Sequence, residues 1–301
     1  MSDRPSPAPR QLMVGLLLAV LGAIGFSGKA IIVKLAYRHG VDAVTLLMWR
    51  MLLALPFFLA MAWWAGRGKP ALTRQDWRDI AALGFTGYYL ASYLDFAGLA
   101  YISASLERLI LYLNPTLVLL ISVLWFKHRL QVRQVVALAV SYAGVVAVFA
   151  HELSFEGRGT AVGAALVFAS AVSYAIYLAL SGKVVQRLGS LRLAGLASSV
   201  ACVLCIAQFA LLRPVAAFAV PEPVMWLSLL NATACTVAPV LMVMLAIARI
   251  GAPLSSQVGM VGPMSTILMG VFILGEPMSA WIVIGTVLVL GGVFLVSARR
   301  P

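Results

Sequence analysis

Charge is what this sequence has least of. Only 11% of its 301 residues are Asp, Glu, Lys or Arg, against about a quarter in a soluble globular domain. That shortfall excludes a soluble enzyme, a disordered chain and a nucleic-acid-binding domain. Acidic residues are scarcer than basic ones, 10 against 22. Histidine is almost absent: His39, His128 and His151 all fall near the ends of apolar runs or in loops, so the sequence offers no buried histidine metal centre. The three cysteines, Cys202, Cys205 and Cys235, lie within apolar runs. Cys202 and Cys205 have CxxC spacing but lack the polar, accessible setting of a redox pair or metal site, and read as core. Gly25-Phe26-Ser27-Gly28 is not a nucleophile elbow, and no Walker sequence occurs. The expectation is a protein without cofactor, metal or catalytic constellation, and not driven directly by ATP. A cleavable signal peptide is not expected either, because the first apolar run starts only at Leu12 and is too long. The Pro-rich stretch Pro5 to Arg10 before it reads as a disordered tail.

What the sequence has is hydrophobicity: 62% apolar residues and a mean hydropathy of +1.01. Ten apolar segments can be drawn, at 12–33, 42–65, 78–100, 103–126, 133–150, 160–182, 193–212, 224–248, 252–274 and 279–297. Each is long enough to cross about 30 Å of hydrocarbon. Backbone polar groups in hydrocarbon need internal partners, so such segments are helices. Barrel strands would alternate apolar and polar residues; Leu117-Val118-Leu119-Leu120-Ile121 does not. The expected fold class is an all-α integral membrane protein of ten transmembrane helices, with no room for a separate soluble domain.

With the N-terminus placed in the cytoplasm, only Lys34, Arg38, Arg158 and Arg213 fall on the opposite side, while Lys29, Arg50 and Arg108 fall within segments. All remaining Lys and Arg lie on the cytoplasmic side. The positive-inside rule therefore accounts for the net charge of +12 as topology, with both termini inside. The halves also repeat at an offset of 148: Val14-Gly15 with Val162-Gly163, Ala23 with Ala171, Pro115 with Pro263, Gly144-Val145 with Gly292-Val293. Residues 1–151 form one five-helix repeat with a short tail, and 152–301 the other. An odd number of crossings per repeat inverts the second, the plan of secondary transporters with a midplane site.

The chain resembles the drug/metabolite transporter superfamily, EamA type, and within it the YddG-type exporters of aromatic amino acids. The resemblance rests on Tyr101-Ile102-Ser103-Ala104-Ser105, Asn114-Pro115, Gly251-Ala252, Gly262-Pro263, Gly275-Glu276-Pro277, Gly291-Gly292 and Arg50. Three positions depart from it: His128 stands where an acid is expected, and Asp95 and Glu107 where small or apolar residues are usual.

Polar groups within spans are functional candidates because each costs about 2.5–3.5 kcal/mol to insert. Glu107, Arg108, Tyr112 and Asn114 in the fourth span read as lining a substrate path, against an ion pair such as Asp95 with Arg108. Tyr88, Ser92 and Asp95 share one face of the third span. In the sixth span Ser170, Tyr174, Tyr177 and Ser181 share a face, and Tyr174 and Tyr177 are assigned to the cavity. Ser256 and Met260 of the ninth span mirror the Glu107–Tyr112 region. Pro115 and Pro263 read as hinges that free the carbonyls of Leu111 and Gly259. Lys29 reads as snorkelling to the surface; Arg50 is left between structural and binding roles.

The expected function is export of a small-molecule substrate across the cell (inner) membrane by alternating access. Amino acids with aromatic or large side chains are favoured, with aromatic and methionine side chains holding the apolar part. The lipid bilayer is the remaining partner, nucleic acid is excluded, and monomer and homodimer stay open. Sugar phosphates or nucleotide sugars would require at least two cavity cations. A membrane enzyme or an assembly subunit would require a catalytic constellation or a large partner surface.

Overall fold

The structure, a computed structural model, describes residues 9–126, 132–156, 158–259 and 261–297. Among them every regular element is helical. The first half contains α1 (Pro9–Tyr37), α2 (Ala43–Gly66), α3 (Arg74–Leu83), α4 (Ala91–Leu99), α5 (Ala104–Leu111), α6 (Asn114–Phe126) and α7 (Val132–Glu156). The second contains α8 (Arg158–Leu188), α9 (Ser190–Leu212), α10 (Glu222–Ala232), α11 (Ala238–Gly259), α12 (Val261–Met269) and α13 (Ala280–Ser297). Seven described stretches are long and apolar enough to cross a membrane, with Val261–Leu274 and Ala280–Leu295 as shorter apolar helices. The chain is an integral membrane protein.

Local chemistry fixes several helix starts. Asp42 accepts from the Val44 and Thr45 amides at the head of α2. Thr73 and Asp76 form a reciprocal capping box on α3, which starts this helix before the apolar segment drawn at 78–100. Ser103 caps α5 through the Leu106 amide at 3.0 Å.

The irregularities repeat at the sequence offset. A π-helical stretch, Gly84–Leu90, joins α3 to α4, and another, Thr233–Val237, joins α10 to α11 at the equivalent place. A further helix break, at Tyr112 and Leu113, separates α5 from α6. The fourth apolar segment is thus two helices rather than one. Conversely, helical backbone continues through Gly251, where the eighth and ninth segments were divided. The path nevertheless turns back there. Ile250 packs on Gly15 near the start of α1, whereas the Gly262 carbonyl accepts from Ser27, well along the same helix.

Equivalent helices run antiparallel. In the α2–α9 pair Gly195 lies against Ala62, Cys202 Sγ is 3.8 Å from Met51 Sδ, and Arg213 reaches Asp42. In the α7–α13 pair Gly285 lies against Val148 and Gly292 against Ser141. Small residues permit this closeness: a Cβ on Gly195 would come within 2.8 Å of the Ala62 backbone nitrogen. The α1–α11 contact recurs as α8–α4, Gly15 meeting Ile250 and Gly163 meeting Ile102.

Candidate functional site

A cavity of about 740 Å³ lies between the halves. Both contribute walls: Phe26, Met51, Phe58 and Tyr88 from the first, and Tyr174, Val240, Met244 and Ile247 from the second. Its reach along α1 runs from Ala19 to Lys29. Beyond Lys29, towards the Tyr37 end, Val33, Ala36, Phe96, Leu99 and Ile102 are completely buried. Polar ties reinforce that closed end: the Tyr37 hydroxyl donates to the Phe96 carbonyl at 2.5 Å, and Lys34 to the Ile102 carbonyl at 3.0 Å.

Charge gathers where the cavity stops. Lys29 of α1 forms a hydrogen-bonded ion pair with Asp95 of α4 and lies 3.1 Å from the Glu107 carboxylate of α5. Arg108 Nε is 3.9 Å from Glu107, and its Nη2 donates to the Phe26 carbonyl at 3.3 Å. One ammonium therefore serves two buried carboxylates, which spares each the cost of an unpaired buried charge. Asp95 Oδ1 has no hydrogen-bond partner. Arg50 also lines the cavity; its Nε donates to the Thr236 hydroxyl at 2.9 Å and its guanidinium carbon sits 5.2 Å from the centre of the Phe96 ring.

The α5–α6 break meets Gly259 of α11 beside this cluster. The Tyr112 hydroxyl donates to the Gly259 carbonyl at 3.2 Å. Ser27 donates to the Gly262 carbonyl at 2.7 Å. A Cβ on Gly262 would lie 3.3 Å from both the Tyr112 and Ser27 oxygens.

Of the residues singled out in the sequence, Tyr88, Ser92, Asp95, Arg108, Tyr112, Asn114, Pro115 and Tyr174 line the cavity. Glu107 does not; it is completely buried behind Lys29. Tyr177 packs behind Tyr88, with their hydroxyls 3.0 Å apart, over Gly87; Ser170 and Leu178 join Tyr174 in the cavity wall instead. Pro263 is buried within α12, and Pro115 occupies the first turn of α6. Proline is compatible with a first turn because no amide donor is needed there, so the α5–α6 break precedes Pro115. The Gly259 carbonyl, one of the two linked to a proline, is the one bonded by Tyr112. Met260 and the Ser256 side chain lie outside the described residues. Lys29 does not snorkel: it turns inward to Asp95, and Asp95 pairs with Lys29 rather than with Arg108.

Sequence reasoning did not assign Lys29, Arg50, Thr236 or the α11 wall to the cavity. The repeat offset is the signal that finds that wall. Applied to Tyr88, Ser92 and Asp95 it gives Thr236, Val240 and Val243, all three of which line the cavity.

With antiparallel equivalent helices around an internal cavity, the fold and site define a membrane transporter built from two repeats. The chain matches the EamA-like transporter family over residues 13–150 and again over 161–298, and it belongs to that family. It is 28% identical over 294 residues to the uncharacterized transporter YcbK of Bacillus subtilis, covering 95% of this chain and 92% of that one. An uncharacterized transporter of Archaeoglobus fulgidus is 24% identical over 290 residues, 94% of this chain and 97% of the other. A solved structure, described only as the crystal structure of a protein, shares 19% identity and a TM-score of 0.63 over 93% of this chain and 95% of its own. That likeness concerns the fold alone.

Proposed function

We propose that this protein is a secondary transporter that exports amino acids with aromatic or otherwise large side chains. In this reading the chain crosses the cell (inner) membrane ten times, as two inverted five-helix repeats (1–151 and 152–301) with both termini in the cytoplasm. The third span is the 78–100 segment, the later part of α3 with α4, and the turn between Ile250 and Gly262 separates the eighth and ninth.

The observation that carries the cargo assignment is the composition of the cavity. Its walls are mostly aromatic, methionine and aliphatic side chains with scattered hydroxyls, and its charged groups, Lys29, Arg50, Asp95 and Arg108, gather at one end. A substrate with a large apolar side chain and a charged head fits that division. Asp95 Oδ1 offers an acceptor to a substrate ammonium; Arg108 and the Asn114 side chain lie on the same cavity. The cavity reaches towards the Pro9 end of α1 and is closed at the Tyr37 end, which makes this the cytoplasm-facing state of an exporter. Movement about Pro115 and Pro263 would exchange the open and closed ends. That motion needs the Tyr112–Gly259 and Ser27–Gly262 bonds to rearrange.

Phosphorylated sugars fit less well. Lys29 is held by two carboxylates and Arg108 by a carbonyl and Glu107, so a dianionic phosphate would not meet two free cations. Uptake into liposomes across a panel of amino acids and sugar phosphates tests the assignment. Saturable flux of the large apolar amino acids is expected; its absence for every amino acid rejects the cargo class.

A further inference from the structure

Arg50 is the one cation of the charged cluster to which the fold supplies no anion. It is 7% exposed, and among the described residues no carboxylate lies within ion-pair distance of it. Asp95 and Glu107 are taken by Lys29. What Arg50 does have is neutral: the Thr236 hydroxyl at Nε and the ring of Phe96 beneath the guanidinium. Its Nη1 is buried and has no hydrogen-bond partner.

Such an arrangement is costly. A charge at membrane depth costs about 2.5–3.5 kcal/mol on insertion scales, and a buried donor left unmatched adds to this. Thr236 and Phe96 orient the guanidinium but do not neutralise it. The group lines the cavity with Thr236, so an anion entering the cavity reaches it. Counting the cluster, Lys29, Arg50 and Arg108 oppose Asp95 and Glu107, which leaves a single positive charge. One excess charge matches a monoanion, and a guanidinium presents parallel N–H donors suited to a carboxylate.

We infer that Arg50 is the docking group for a carboxylate on the transported molecule, so that the cargo is a monocarboxylate whose negative charge completes the cluster. This rests on the transporter reading above and refines its site. Thr236 belongs to the second repeat and Arg50 to the first, so a docked carboxylate sits where the two halves meet. Thr236 acts as a positioning residue: it holds Nε and turns the remaining N–H groups towards the cavity.

The test uses the full-length protein in liposomes with three labelled compounds of similar shape: L-phenylalanine, 3-phenylpropionate, which lacks the amine, and 2-phenylethylamine, which lacks the carboxylate. Arg50→Gln is expected to lower flux of the two carboxylates about 10- to 100-fold, the loss of a hydrogen bond to a charged group. Flux of the amine should stay level or rise, because a nearby cation has been removed. Arg50→Lys should retain part of the carboxylate flux. An equal effect of Arg50→Gln on all three compounds, or none, overturns the inference and leaves the amino-acid reading standing. If the wild type carries no amino acid, that reading falls, while Arg50-dependent flux of 3-phenylpropionate keeps the inference and its absence ends both. Should Arg50→Gln fail to fold, Thr236→Val decides: selective loss for the carboxylates supports the docking role, and unselective or absent loss contradicts it.

Discussion

The Tyr112 hydroxyl donates to the Gly259 carbonyl at 3.2 Å, joining the helix break of the first repeat to the carbonyl four residues before Pro263 in the second. A carbonyl four residues before a proline has no helical amide to accept from and needs another partner when water is scarce, and here the partner comes from the opposite half. Tyr112→Phe removes that bond. Its stability cost is expected to be small, about 0.6 kcal/mol for an interhelical bond within a membrane. The effect on transport rate should be larger, because the bond must rearrange when the halves move. Unfolding in denaturant and initial rates of liposome uptake are the measurements. Unchanged values of both would show that the contact is incidental.

Lys29 holds two carboxylates, so its removal leaves charges rather than a gap. Lys29→Met should destabilise the protein by about 3–5 kcal/mol, the cost of breaking a buried pair. Neutralising the principal partner should restore part of this: Lys29→Met with Asp95→Asn is expected to melt above Lys29→Met alone. Equal melting temperatures for the single and double variants would contradict the pairing.

Neighbouring glycines in α13 separate packing from propensity. A Cβ on Gly292 would strike Ser141 Oγ and come within 2.6 Å of the Ala137 carbonyl oxygen, whereas one on Gly291 meets nothing within 4 Å. Gly292→Ala should cost about 1–3 kcal/mol through overpacking against α7. Gly291→Ala should be neutral or stabilising by up to about 1 kcal/mol, as expected for glycine replaced within a helix. Denaturant melts of the two single variants distinguish them, and similar losses in both would contradict the α7–α13 register.

Acid sensitivity should arise at the loop ends. The Thr73 hydroxyl and amide, with Arg187 at 2.7 Å, hold the Asp76 carboxyl below its ordinary value. For Asp42, partial burial pushes upward, but bonds from Arg213 and Thr45 outweigh it and the net shift is also downward. A carboxylate with a depressed folded pKa contributes stability that is complete above its unfolded value, about 3.9. The contribution is lost as pH falls through the lower folded value. Stability is therefore expected to decline below about pH 4, and Asp76→Asn should be less stable at neutral pH with a shallower acid limb. An Asp76→Asn acid limb as steep as the wild type would assign the sensitivity elsewhere.

Much of this architecture is legible in the sequence because the bilayer constrains it so strongly. Apolar runs mark helices, and the offset relating Pro115 to Pro263 also relates the π-helical stretches. Side-chain direction is where the reading falls short. Glu107 and Arg108 are adjacent, yet one is sealed behind Lys29 and the other faces the cavity, a difference of about 100° of helix rotation. Lys29 lies in the outer half of its segment, where a lysine can snorkel to the surface; Asp95, which draws it inward, is on another helix. Tyr177 follows the same polar face as Tyr174, but Gly87 leaves room for its ring against the π-helical stretch and removes it from the wall. Arg50 looked ambiguous because the absence of an anionic partner is a property of the folded neighbourhood.

The central claim, one cavity between antiparallel halves that carries large apolar amino acids, is tested most directly by counterflow. Liposomes containing the purified protein are loaded with unlabelled L-phenylalanine and diluted into a trace of the labelled compound. The account predicts transient, saturable accumulation of label that requires the internal load and is lost in Arg50→Gln. Label entry no faster than in protein-free liposomes, for phenylalanine and for every other large apolar amino acid, would contradict it.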